Sequence, residues 1–215
     1  SIALEELGLP YELKVLDLSK HEQKTPAFLA INPLGQLPAL DDDGYVLRDA
    51  QAILTYLAAR YDASGHWYPV QDPKRLGEVN MWLAFADSLT GTASAARLAD
   101  VFNYDLDAEK ARAGAHALLR VLEEQLWFNE REHSGWVCSG ERPTVADIAC
   151  FPYVMLSDEG GISLIDYPAI EDEKRMVDAI TTGRTAADFD LSQVGRVLGA
   201  ADIVAMQRDT AAVRV

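Results

Sequence analysis

One stretch constrains this chain more than any other: residues 31–61, INPLGQLPALDDDGYVLRDAQAILTYLAARY. Two short apolar runs, Leu37, Ala39 and Leu40, then Tyr45, Val46 and Leu47, flank Asp41-Asp42-Asp43-Gly44. An Asp-Gly pair between apolar runs specifies a hairpin, because both residues tolerate the positive φ that a tight hairpin turn demands. Pro38 opens the first run, where its missing N–H costs no ladder bond. Spacing alone assigns the Leu37–Pro38 bond as trans, since only about 5–6% of such bonds in folded proteins are cis. Asp49 then opens a helix on which Ile53, Leu54, Leu57 and Tyr61 recur at helical spacing. Aspartate is a good N-cap, and the free N–H groups and dipole of a helix start favour an anion. The whole stretch is a platform suited to the backbone and carboxylates of a small peptide. Taken without its flanks, Asp49 needs no role beyond capping.

Around the platform the chain reads in order. Ser1 to Gly8 is the body of a helix, with Gly8 as its C-cap and Pro10 just after. Tyr11 to Leu16 alternates like a strand, and His21 to Ala30 is a polar loop entering a short helix. Residues 62–72 form a linker ending in Asp72-Pro73. The second half is helical. Val79, Trp82, Leu83, Ala86 and Leu89 share one face, and Ala115, Leu118, Leu119, Leu122 and Leu126 share another, with a polar break near Asn103–Asp107. These stripes make a core, and Trp82 and Phe85 are candidates to line an apolar pocket facing the platform. Thr144 and Asp147 have capping-box spacing before an apolar run, with Asp in place of Glu.

Charge and composition exclude several functions. A net charge of −15 opposes binding to nucleic acid or anionic membranes. An anionic ligand then needs local positive groups, and Lys24, Arg48 and the helix start are the nearby ones. Cys138 and Cys150 form no CxxC pair, which disfavours thioredoxin-type redox chemistry. His21, His66, His116 and His133 are isolated, which disfavours a metal centre. No apolar run reaches the ~18–20 residues of a membrane span, and no secretory signal is visible, so cytoplasmic residence is the default.

The motifs LEELGLPYE, INPLGQLPAL and RDAQAILTYLA together resemble the cytosolic glutathione transferases, as do RPTVADIA and YPAI farther on. The resemblance implies an α/β thioredoxin-like domain over residues 1–62, then an all-α domain over 73–170, with 171–215 as an atypical tail. It reverses the spacing argument and implies a cis Leu37–Pro38 bond. Gln36, Leu37, Pro38, Asp49 and Ala50 are then the glutathione-binding positions. The turn at Asp49 holds the γ-glutamyl end, with its carboxylate on helix N–H groups and its ammonium on the acid. Ala50 departs from the usual Ser and loses one hydroxyl contact. The implied reaction conjugates glutathione, as substrate, to a small electrophile, or is a related thiol reaction, in a homodimer serving detoxification. The alternative is a binding or scaffold protein without turnover. Asp147 is structural in this reading.

One element is missing upstream. A thioredoxin-like sheet places its first strand in the middle, yet Ser1 already lies within the helix that should follow it. The tail offers a substitute. Ile203 to Met206 reads as a short strand and Arg208-Asp209-Thr210 as the loop after it. AAVRV would then run into SIALEELG if the order of the chain were circularly permuted. Thr210 is then the hydroxyl that hydrogen-bonds the glutathione sulfur. A partial chain, or a plain C-terminal extension with its own short helix, accounts for the same letters.

Overall fold

Ile2 to Glu6 form α1 (Ile2–Glu6), which buries Ala3 and Leu4. Gly8 ends it at φ 64°, its N–H bonding Glu5 O at 2.9 Å while Leu9 N–H reaches Leu4 O at 2.8 Å. Glycine takes this left-handed turn without steric cost. This computed structural model describes residues 2–17, 20–132, 134–172 and 212–214. The strand expected over residues 11–16 is shorter, β1 (Glu12–Lys14), and all three of its residues are exposed. A single 3-10 turn, Glu22–Lys24, leads to Thr25, whose Oγ1 accepts from Phe28 N–H and caps α2 (Pro26–Ile31).

The hairpin forms as its letters require. β2 (Ala39–Asp42) and β3 (Tyr45–Arg48) pair antiparallel from Ala39 opposite Arg48 to Asp42 opposite Tyr45. The two turn residues, Asp43 and Gly44, have φ of 50° and 88°, the double left-handed turn that matches strand twist. α3 (Ala50–Tyr61) follows directly.

The sheet has four strands in the order β1-β4-β2-β3, with β4 (Ala212–Arg214) in the interior. β4 runs parallel to β2 and antiparallel to β1. This corrects one expectation. Residues 212–214 belong to the segment expected to run into the first helix, and they are strand instead. A strand feeding α1 and then β1 as a βαβ unit would lie parallel to β1, and β4 does not. Backbone pairing on both sides of β4 gives the ladder groups of β1 and β2 their partners. Ile203 to Met206 and Thr210 lie outside the described residues.

The chain divides into two units between Leu57 and Ala58, the first containing the sheet, α1, α2 and most of α3. The second is helical. Asp72 accepts from the N–H of Lys74 and Arg75 and starts α4 (Pro73–Phe102), which ends at Asn103 with φ 55°. Asp107 caps α5 (Ala108–Arg131). Thr144 caps α6 (Val145–Met155), with Thr144 and Asp147 forming the full capping box. The apolar stripes of α4 and α5 are buried as expected, Leu118 only partly. Within α4, buried Arg97 pairs with Glu159 at 2.7 Å and lies over the Phe102 ring. A Cβ on Gly160 would meet Arg97 N at 3.0 Å, so the small residue permits that approach. Among the described residues no helix is long and apolar enough to cross a membrane.

Candidate functional site

The hairpin register decides the geometry of the site. Because Ala39 pairs with Arg48, the residues just outside that pair, Pro38 and Asp49, sit at the same end of the hairpin. The loop entering β2 and the start of α3 are therefore neighbours, although ten residues lie between Pro38 and Asp49 in sequence.

The loop is built on Asn32. This residue is 2% exposed. Nδ2 donates to Gln36 O at 2.6 Å, and Oδ1 accepts from Leu34 N–H at 3.1 Å. Gly35 turns the chain at φ 58°, and a Cβ there would lie 2.7 Å from Lys24 Nζ. That ammonium donates to Leu34 O at 3.1 Å. Lys24, a candidate counter-charge in the sequence, is thus committed to holding the loop. Gln36 is exposed, Leu37 and Pro38 are half-buried, and the bond between them is cis. No partner among the described residues engages the main-chain N–H or C=O of Leu37.

At the other side, Asp49 is exposed and takes φ 79°, a left-handed conformation uncommon outside glycine. Its Oδ1 accepts from Ala52 N–H at 2.9 Å, and its carbonyl accepts from Ile53 N–H. Among the described residues the N–H groups of Ala50 and Gln51 have no partner, so the helix start keeps two donors open. The helix is tied to the hairpin by Tyr56, whose hydroxyl donates to buried Asp42 Oδ2 at 2.5 Å and whose ring packs on Tyr45. Of the acidic turn, Asp41 Oδ1 is engaged by Gly44 N–H and Asp42 by Tyr56.

The five positions named from sequence, Gln36, Leu37, Pro38, Asp49 and Ala50, thus lie at one end of one hairpin. The arrangement offers an extended backbone one N–H and one C=O at Leu37, and offers a carboxylate two N–H groups with a favourable helix dipole. Asn32 and Tyr56 went unnamed in the sequence. An Asn-Pro step before a Gly is a turn signal, but nothing in it says that the amide is buried.

Two groups of the second unit, Asp147 and Cys138, are shifted furthest. Asp147 is fully buried and accepts from Val137 N–H at 2.8 Å and Thr144 N–H at 2.7 Å. Burial pushes its pKa up to about 6, against the hydrogen bonds that favour the charge. Burial likewise pushes the Cys138 thiol up to about 12, so it stays protonated and is a poor nucleophile. Trp82 is in the core, its ring edge-on to Phe85. No group of three or more His, Cys, Asp or Glu placed to hold a metal occurs among the described residues.

Comparisons with known proteins place the chain among relatives of one kind. A sequence model described as glutathione S-transferase, N-terminal domain, matches residues 1–60. The human protein named glutathione S-transferase theta-2 is 31% identical over 155 residues, which is 69% of this chain and 62% of that relative. The chain therefore spans less than two thirds of that curated relative. A crystal structure of a glutathione S-transferase from Pseudomonas fluorescens superimposes with a TM-score of 0.72 at 30% identity, covering 83% of this chain and 87% of that one. A glutathione transferase homologue from Lodderomyces elongisporus, solved with two GSH per subunit, is 26% identical with a TM-score of 0.73, covering 86% and 92%. The fold is accordingly a thioredoxin-like domain joined to a mostly helical remainder.

Proposed function

The chain belongs to the glutathione S-transferase family, and we propose that it binds glutathione at the hairpin end and transfers the thiol to a small electrophile. The observation that carries this reading is the pairing of an unpartnered Leu37 main chain with the open N–H groups of Ala50 and Gln51 at one hairpin end. Leu37 pairs with the peptide, the start of α3 takes the γ-glutamyl carboxylate, and Asp49 takes the ammonium. The glutathione bound in the Lodderomyces homologue supports the choice of ligand.

Catalysis requires a lowered thiol pKa, because the thiolate is the nucleophile and a free thiol titrates near 8.5. Thr210 is the proposed hydroxyl. It precedes Ala212 by two residues, and Ala212 begins β4 opposite Ala39, next to Pro38. The test is calorimetric titration of the 215-residue protein with glutathione, with pH titration of the bound thiol. The expected result is binding with a lowered thiol pKa that returns toward ~8.5 in Thr210→Ala. Absence of binding overturns the reading. Binding with an unshifted pKa supports the second reading, a glutathione-binding protein without turnover, which the missing hydroxyl at Ala50 favours. Family analogy extends the proposal to a cytoplasmic homodimer in detoxification, checked by light scattering and fractionation.

A further inference from the structure

We propose that Asn32 is a positioning residue for glutathione. Its buried carboxamide fixes the main chain of Leu34 and Gln36 so that the adjoining Leu37 presents its N–H and C=O to the ligand. The inference rests on the glutathione reading above.

The loop has little else to hold it. Leu34 is 62% exposed and Ile31 40% exposed, so the apolar side chains of this segment do not anchor it. What holds it is polar. Asn32 N–H bonds Phe28 O at 2.8 Å and Asn32 O accepts from Gly35 N–H at 2.8 Å, which fasten the residue to the end of α2 and to the turn. Its amide then spans the turn, accepting from Leu34 N–H and donating to Gln36 O at 2.6 Å. An amide is suited to this because it is both donor and acceptor in one rigid plane. Gln36 is bonded directly to Leu37, so a shift of the Gln36 carbonyl is passed to the Leu37 peptide group. The side chain itself is buried and acts on the ligand only through that backbone. A displacement on the order of 1 Å is enough to spoil such a contact.

The experiment is calorimetric titration of wild type, Asn32→Ala, Asn32→Asp and Gly35→Ala with reduced glutathione, reading both Kd and stoichiometry. Asn32→Asp keeps the shape and the acceptor for Leu34 N–H but loses the donor to Gln36 O. It also sets a carboxylate oxygen against that carbonyl. The expected result is a Kd raised about tenfold in Asn32→Ala and at least as much in Asn32→Asp, with stoichiometry unchanged. A role in folding alone gives the opposite split: fewer competent molecules, each with wild-type Kd. That result overturns the inference, as does a Kd within twofold of wild type in both variants, while the glutathione reading stands in either case. Wild type failing to bind overturns the glutathione reading and this inference with it. Should the Asn32 variants not fold, Gly35→Ala carries the test. Its methyl group can neither donate nor accept, and it displaces the same loop against Lys24 and the Gln23 carbonyl. A Kd raised severalfold is expected, and an unchanged Kd overturns the inference.

Discussion

Asn32 in the first unit and Asp147 in the second meet the same demand with different chemistry. Each is buried at a helix end, and each ties an irregular segment to that end through main-chain groups. Asn32 stands past the C-terminus of α2, where both a carbonyl and an N–H need partners, and a neutral amide serves both. Asp147 stands in the first turn of α6, where only N–H groups are orphaned. Its carboxylate accepts from two N–H groups, Val137 and Thr144, and from the Thr144 hydroxyl, at 2.7 to 3.1 Å. Charge-assisted bonds are the stronger kind, and the helix dipole favours the negative charge there. The cost is desolvation, and it is visible in the raised pKa. The carboxylate clamp is the stronger and the pH-dependent one. The amide clamp is weaker and indifferent to pH, and it adjoins Leu37, the proposed contact for glutathione.

The largest effect should come from breaking the carboxylate clamp. Asp147→Ala leaves two buried N–H groups without partners, at about 1–3 kcal/mol each. Urea unfolding followed by the fluorescence of Trp82 and Trp136 should show a loss of about 2–5 kcal/mol. A loss under about 0.5 kcal/mol would mean that the capping box is ornamental.

The next effect separates the two clamps by pH. The folded pKa of Asp147, about 6, stands above the ordinary 3.8, so the native state holds this proton more tightly than the unfolded state. Its contribution to stability is full below about pH 4 and is lost as pH rises through about 6, for a total of about 3 kcal/mol. Wild type should therefore lose about 2 kcal/mol between about pH 4 and pH 7 relative to Asp147→Asn measured alongside it. Asn32→Ala should cost about 1–3 kcal/mol, and by the same amount at each pH, because the amide does not titrate. A pH-dependent cost for Asn32→Ala, or a flat difference for Asp147→Asn, would erase the contrast.

The same contrast explains what could be read from sequence. The capping box was legible because its donors and acceptors lie three residues apart and helix geometry alone brings them together. The hairpin was legible because Asp43-Gly44 supplies the two positive φ values that the turn needs. Asn32 was not, because its partners are backbone atoms of a turn whose shape depends on Gly35 at positive φ and on Lys24 arriving from another element. The letters of β4 were not legible as strand for a related reason. A three-residue strand takes its identity from pairing with Leu13 and Leu40, far away in sequence, and AAVRV carries no local mark of it. β1 was overextended because its alternation suggested one buried face, whereas Glu12, Leu13 and Lys14 are all exposed.

The smallest effect sharpens the comparison from the ligand's side. Ala50 lies where the N–H groups of the α3 start are already open, so adding a hydroxyl there supplements donors and relieves no orphaned group. Ala50→Ser should leave folding stability within about 0.5 kcal/mol, because the position is exposed and Ser is only slightly the poorer helix former. It should tighten glutathione by about 0.5–1.5 kcal/mol, roughly twofold to tenfold in Kd, if the γ-glutamyl carboxylate sits on those N–H groups. Titration of the Ala50→Ser protein with glutathione and with its dimethyl ester resolves the point. A gain seen with glutathione and absent with the ester places a carboxylate at the helix start. An equal gain with both moves the anion elsewhere and leaves Leu37, held by Asn32, as the main determinant of binding.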